Sequence, residues 1–286
     1  MTLNDRNRAP WTQAHSYANQ SVWPTGQHST ARQLRTRGYA PESHQDTWAT
    51  PPAIAEHAIK HYSTPGALVI DPDCGFGVVL VEALRANRHA AGITTSPQWW
   101  RTARANVTAA KRSGAWHDGT VIHRRDHPTT TVHTAGLHHR ADLVLTTIRT
   151  TDLGTSLSPD SDYTRTIASL LRPGGHAVLV VRSHRAPDGT LIDLASVAAA
   201  AAEARGLILV DRCIALTARI RGTRVLHHES AVDHAARPLS TPVAAAAHHT
   251  VLVLRAPDTS ASALTADPRE IGQAQYISTR NERAHG

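Results

Sequence analysis

Between residues 51 and 62, apolar side chains recur at helical spacing. Ile54, Ala55, Ala58, Ile59 and Tyr62 share one face, and Pro51-Pro52 opens the run as proline does at a first helical turn. Ala67-Leu68-Val69-Ile70 is then a short unbroken apolar run, the pattern of a strand buried on both faces. The spacing beyond it predicts a helix over 78–88, a strand over 89–94, a helix over 97–112 and a strand at Val121-Ile122. It goes on to predict a strand over 141–146, a helix over 163–171 stopped by Pro173-Gly174-Gly175, and a strand over 177–181. A helix over 191–205 and strands over 207–216 and 250–254 complete the set. Strands alternating with helices predict an α/β fold, Rossmann-like and doubly wound, with a mostly parallel seven-stranded sheet. No helical pattern separates the last two strands, which predicts an antiparallel edge strand.

The flanks read differently. Residues 1–50 are polar with Trp11, Trp23, Tyr39 and Trp48 scattered among them, the pattern of an N-terminal arm lying on the core. Residues 51–257 form the domain, with an irregular insertion over 220–248 before the last strand. Residues 258–286, rich in Ser, Thr and Ala, read as a disordered tail. The chain has 286 residues and is 41% hydrophobic, enough for one sizeable core. A net charge of +7, carried almost wholly by arginine because Lys60 and Lys111 are the only lysines, favours a polyanionic partner such as nucleic acid over a merely solvated basic surface. Cys74 and Cys213 make no disulfide framework and no CxxC pair. No apolar run approaches a membrane span of about 18 residues, so the expectation is a cytoplasmic protein with no membrane partner.

Chemistry concentrates in Val69-Ile70-Asp71-Pro72-Asp73-Cys74-Gly75-Phe76-Gly77. The segment lies between a predicted strand and a predicted helix. Its glycines allow a ligand to approach the backbone, and an acid at the strand tip can meet a cationic or hydroxyl-bearing group. A plain tight turn is the alternative, but the strand–acid–GxG–helix order argues against it. The His138-His139, His227-His228 and His248-His249 pairs lack the cysteine partners or HExxH spacing of a metal site, so no metal is expected. Trp99-Trp100 and Tyr163 read as packing residues. Arg32, Arg35 and Arg37 form a basic cluster suited to phosphates or to solvent.

Asp71-Pro72-x-Cys74-Gly75-x-Gly77 followed by Leu80-Val81-Glu82-Ala83 resembles the cofactor motif of amino-methyltransferases acting on nucleic acids, the N4-cytosine and N6-adenine DNA methylases. Ser21-Val22-Trp23-Pro24-Thr25-Gly26 and Tyr39-Ala40-Pro41-Glu42-Ser43 are similar to the leader of an actinobacterial group of DNA methylases. Leu171-Arg172-Pro173-Gly174-Gly175 is similar to the turn before strand five in methyltransferases. The resemblance implies a class I S-adenosylmethionine-dependent methyltransferase. It assigns Asp71, Pro72, Cys74, Gly75, Phe76 and Gly77 to the cofactor, together with Thr94, Thr146 and Asp126.

Two departures from the family stand out. A carboxylate expected at the end of the second strand, where it would accept both ribose hydroxyls, is Thr94 here. The catalytic motif of a polar residue, Pro-Pro and an aromatic reads Thr147-Ile148-Arg149-Thr150. It therefore lacks the ring that stacks on an extruded base. Three readings follow: a divergent nucleic-acid methyltransferase, a catalytically degenerate fold that binds nucleic acid or a partner, and a small-molecule methyltransferase. An open pocket beside Asp71 favours an enzyme; a pocket filled by Arg149 favours the degenerate fold.

Overall fold

The computed structural model describes residues 20–125, 128–149, 161–186, 188–228 and 244–258. In chain order the first elements are β1 (Val22–Trp23), α1 (Thr30–Thr36), a 3-10 helix (Pro41–Gln45) and α2 (Pro52–Tyr62). Next come β2 (Leu68–Asp71), α3 (Val78–Arg85), β3 (His89–Thr94), α4 (Pro97–Arg112) and β4 (Gly119–His123). Then follow α5 (Pro128–Thr134), β5 (Ala141–Thr147), α6 (Asp162–Leu170), β6 (Leu171–Val181), β7 (His184–Arg185), β8 (Leu191–Ile192) and α7 (Leu194–Glu203). The last are β9 (Ile208–Leu216), β10 (Arg219–Arg221), β11 (Arg224–Leu226) and β12 (His248–Arg255).

The main sheet has the order β1-β9-β12-β6-β5-β2-β3-β4. β2, β3, β4, β5 and β6 run parallel, whereas β12 is antiparallel to both β6 and β9. All seven strands expected from the apolar runs are present, and the arrangement is the expected Rossmann-like α/β fold with a mostly parallel, doubly wound sheet. Two features differ from the sequence reading. The antiparallel strand lies one place in from β9 rather than at the edge, because β12 pairs on both sides, with β9 over His248–Arg255 and with β6 over Thr250–Arg255. An eighth strand, β1, joins the edge in parallel with Ile214 and Ala215 of β9. Residues 20–50, expected as an arm, thus supply a strand and two short helices. Of the expected insertion over 220–248, residues 220–226 fall in the β10–β11 hairpin, while 229–243 lie outside the described residues, as do nearly all of the expected tail and positions 1–19.

Two apolar clusters cover the two faces of the sheet. One holds Ile54, Ile59, Leu80, Leu84 and Trp23, and the other holds Ile70, Val144, Ile167, Leu170 and Leu179. Every residue of α3 from Val78 to Leu84 is buried, so its one acid needs internal partners. Glu82 finds them in Arg37 at 2.5 Å, Arg85 at 2.9 Å and the Tyr39 hydroxyl at 2.6 Å. This cluster ties the N-terminal segment to the helix that follows the Asp71–Gly77 loop. β2 leads outward to β3 and β4, and β5 leads the other way to β6. The strand order therefore reverses between β2 and β5, the crevice where doubly wound sheets bind ligands.

Candidate active site

Asp71 ends β2 and Thr147 ends the neighbouring β5, so both face this crevice. The loop between β2 and α3 turns through two left-handed glycines, Gly75 at φ +48° and Gly77 at φ +82°, the second capping α3. The Cys74 amide donates to the Ile93 carbonyl at 2.9 Å, fastening the loop to β3. A Cβ on Gly77 would come within 3.1 Å of Ala103, so this glycine is fixed by the close approach of α4. Gly75 faces another way: a Cβ there would lie 2.2 Å from Asp46 Oδ2 and 2.4 Å from an Arg149 amine.

Arg149 is the centre of the site. Its two terminal amines donate to the two oxygens of Asp46, each at 2.7 Å, in a fork-to-fork pair. Its Nε lies 3.3 Å from Asp73 Oδ2, and its guanidinium carbon lies 5.1 Å from the centre of the Trp99 ring. The Asp46 side chain is 1% exposed. The partnering carboxylates raise the affinity of Arg149 for its proton against the cost of burial, so it stays charged. Asp71 is fully buried, and its carboxyl is pushed up to about 7, first by desolvation and then by the charge of Asp73. A hydrogen bond from the Asp73 amide, at 3.1 Å, the charge of Arg149 and a hydrogen bond from Thr146 offset part of that shift. With Arg149 in place, the cavity beside Asp71, Cys74, Thr50 and Thr147 measures about 10 Å³, the room of one water. Clefts that hold small-molecule ligands and cofactors measure roughly 300–1,000 Å³. Arg149 and Asp46 therefore occupy the space beside Gly75, the arrangement that favours a degenerate fold.

The other expected residues are placed as follows. Thr147 is buried and shares a 2.7 Å hydrogen bond with Thr50. Ile148 is buried in the core behind the crevice. Thr146 accepts from the Tyr163 hydroxyl at 3.4 Å, and Tyr163 packs against the core cluster on that face of the sheet, as expected. Phe76 packs against Trp99 with the rings tilted by 58° and their centroids 5.8 Å apart. Thr94 is 2% exposed and its hydroxyl accepts the Ser96 amide at 3.4 Å in the local turn. Pro72 is half-buried in the loop. Asp126 and Thr150 lie outside the described residues. The arginine cluster is divided: Arg35 is exposed, Arg37 is turned inward onto Glu56 and Glu82, and Arg32 faces a separate cavity. Among the described residues, no group of three or more His, Cys, Asp or Glu is arranged to hold a metal, and no helix is long and apolar enough to cross a membrane.

Sequence reasoning missed Asp46, Asp73 and Thr50. Asp73 stands inside the motif and was legible as a second acid. Asp46 and Thr50 carry no motif signal, because only the fold brings them to Arg149 and Thr147.

A family model described as DNA methylase matches residues 3–105. The match takes in the leader and the Asp71–Gly77 loop and stops short of β5, so the Thr147–Arg149 segment lies beyond it. The chain resembles the DNA methylases over that first third. No curated protein matches it. Among solved structures, TrmN from Thermus thermophilus is similar at 16% identity and a TM-score of 0.49, over 76% of this chain and 52% of that one. The chain thus spans about half the length of that protein. Precorrin-6y C5,15-methyltransferase from Geobacter metallireducens is similar at 13% identity and a TM-score of 0.49, over 77% and 92% of the two chains. TYW2 from P. horikoshii, in complex with MeSAdo, follows at 13% identity and a TM-score of 0.45, over 75% and 66%.

The residues at the crevice suit the cationic part of S-adenosylmethionine. Asp46, Asp71 and Asp73 surround a single guanidinium, and the Trp99 face lies against it. A sulfonium or ammonium group would meet the same carboxylates once Arg149 withdraws.

Proposed function

We propose that the protein is an S-adenosylmethionine-dependent methyltransferase acting on nucleic acid, DNA above all. The observation that carries this reading is the acid-rich loop at the reversal of strand order, with the Thr147 hydroxyl on the adjacent strand end. Asp71 and its neighbours Asp46 and Asp73 hold the cationic part of the cofactor. Gly75 and Gly77 allow the backbone to approach it, and Trp99 covers one side. When bound, the cofactor supplies a sulfonium-activated methyl group; the chain's own contribution is placement and exclusion of water. Thr147, oriented by Thr50, presents a hydroxyl oxygen that can accept a hydrogen bond from a target amino group. Arg149 must leave the crevice first, which makes it a competitor of the cofactor for the same three carboxylates.

DNA as the substrate is supported by the family match over residues 3–105 and by the arginine-borne positive charge. A second reading, a silent methyltransferase fold, is favoured by one specific observation: the Asp46–Arg149 pair closes the loop face that a cofactor would use. Tritiated methyl transfer to genomic DNA and to total RNA separates the two. The expected outcome is weak transfer to DNA that Thr147→Val abolishes. Absence of transfer to either nucleic acid together with no cofactor binding assigns the chain to the silent reading, whereas absence of transfer with cofactor binding intact points to a different substrate class.

A further inference from the structure

A second concave site lies on the same edge of the sheet. β12 is antiparallel to both β6 and β9, so β9 runs in the direction of β2 and β5. The C-terminal end of β9 therefore reaches the edge that carries Asp71 and Arg149. The β10–β11 hairpin springs from that end, and α1 follows the parallel strand β1. Between hairpin and α1 lies a cavity of about 220 Å³, lined by His28, Arg32, Arg219, His227 and His228 among others. Three strand spacings, roughly 14 Å, separate β9 from β5 in the sheet order.

The cavity is held by contacts between the two ends of the chain. The Thr25 hydroxyl donates to the Leu216 carbonyl at 2.8 Å, and His228 Nε2 lies 2.9 Å from the Gly26 carbonyl. Gly26 has no room for a side chain, since a Cβ would lie 2.4 Å from the Ala218 carbonyl oxygen. This packing brings Arg32 of α1 beside Arg219 of β10. Among the described residues no carboxylate lines the cavity, and neither guanidinium has a hydrogen-bond or ion-pair partner. Arg221 and Arg224 extend the charge along the exposed hairpin.

Unpaired guanidiniums opening into a polar concavity are the chemistry that recognises phosphate. A chain of phosphates fits better than a single anion, because the positive charge continues past the cavity onto the hairpin. We propose that this cavity and hairpin grip the phosphodiester backbone of DNA beside the base offered to Thr147. The proposal rests on the nucleic-acid reading above and identifies where the strand is held.

The test is fluorescence anisotropy of a short fluorescein-labelled DNA duplex titrated with the full chain. Native protein is compared with Arg32→Ala, Arg219→Ala and Arg219→Lys, and with Arg112→Ala at the end of α4 on the opposite edge of the sheet. Loss of one charge-assisted contact should weaken binding roughly tenfold. Each alanine variant should also lower the slope of log affinity against log salt by about one. Arg219→Lys should recover most of the binding, and Arg112→Ala should leave it unchanged. Cofactor titration of the same proteins keeps the two readings apart: loss of DNA binding at Arg32 and Arg219 in a chain that binds no cofactor supports the cavity and removes the methyltransferase. Unchanged affinity and salt slope in both alanine variants would overturn the proposal. So would inorganic phosphate binding that Arg219→Ala removes while DNA binding stays intact, which would make the cavity a free-anion site.

Discussion

Arg149 and Gly75 explain each other. A glycine in a cofactor loop is ordinarily read as making room for a ligand, and here the room is taken by the chain's own ion pair. The pair is well made, with both guanidinium amines on both oxygens of a carboxylate that is 1% exposed. Removing one partner of such a pair leaves a buried charge and costs about 3–5 kcal/mol, whereas removing both costs far less. Arg149→Ala should therefore destabilise the fold by about that amount, and adding Asp46→Ala should restore most of it. Urea denaturation of the two single variants and the double variant measures this coupling. Additive losses would mean that the pair does not form. The acid Asp71 and both glycines were legible in the sequence, because the loop is a local motif. Asp46 was not: its partner lies beyond β5, and no local pattern marks a surface-looking aspartate as the mate of a distant arginine.

At the level of elements, the apolar runs marked every central strand, since strands buried on both faces need unbroken apolar text. β1 escaped notice because it is two residues long and set in polar surroundings. Its weight lies in one side chain. Trp23 is 1% exposed and packs against the rings of His57, with centroids 4.4 Å apart, and Tyr62 at 6.3 Å. Deleting a buried indole costs about 3–5 kcal/mol, so Trp23→Ala should lower the melting temperature by several degrees or more. A melting temperature equal to the native one would show that β1 is an adherent arm and not part of the sheet's support. The position of β12 was also hidden. Sequence alone says that two strands without a helix between them are antiparallel, but not which of them is inserted beside β6.

The whole molecule carries a net charge of +7 and twenty histidines, and burial holds His57 and His249 well below the ordinary imidazole range. His249 on β12 is buried, and its pKa falls from 6.5 to about 3, first through desolvation and then through the nearby Arg182 and His248. His57 falls to about 4 through burial and the charge of His61. A depressed pKa means that the unfolded chain binds the proton first. The stability these groups contribute is complete above pH 6.5 and is lost as pH falls toward 4 and then 3. His249→Leu should therefore gain stability on the native chain as pH drops below 6.5, read as the difference in melting temperature across that range; a constant difference would place His249 in water. Fold and loop together define a site whose carboxylates now hold Arg149. The most direct measurement is isothermal titration calorimetry of S-adenosylmethionine with the native chain and with Arg149→Met, which keeps bulk and removes the competing cation. If Arg149 and the cofactor contend for the same carboxylates, the native chain binds and the variant binds about tenfold tighter or more, a difference of about 1.4 kcal/mol or greater. Equal affinities, or no binding by either folded protein, would contradict it.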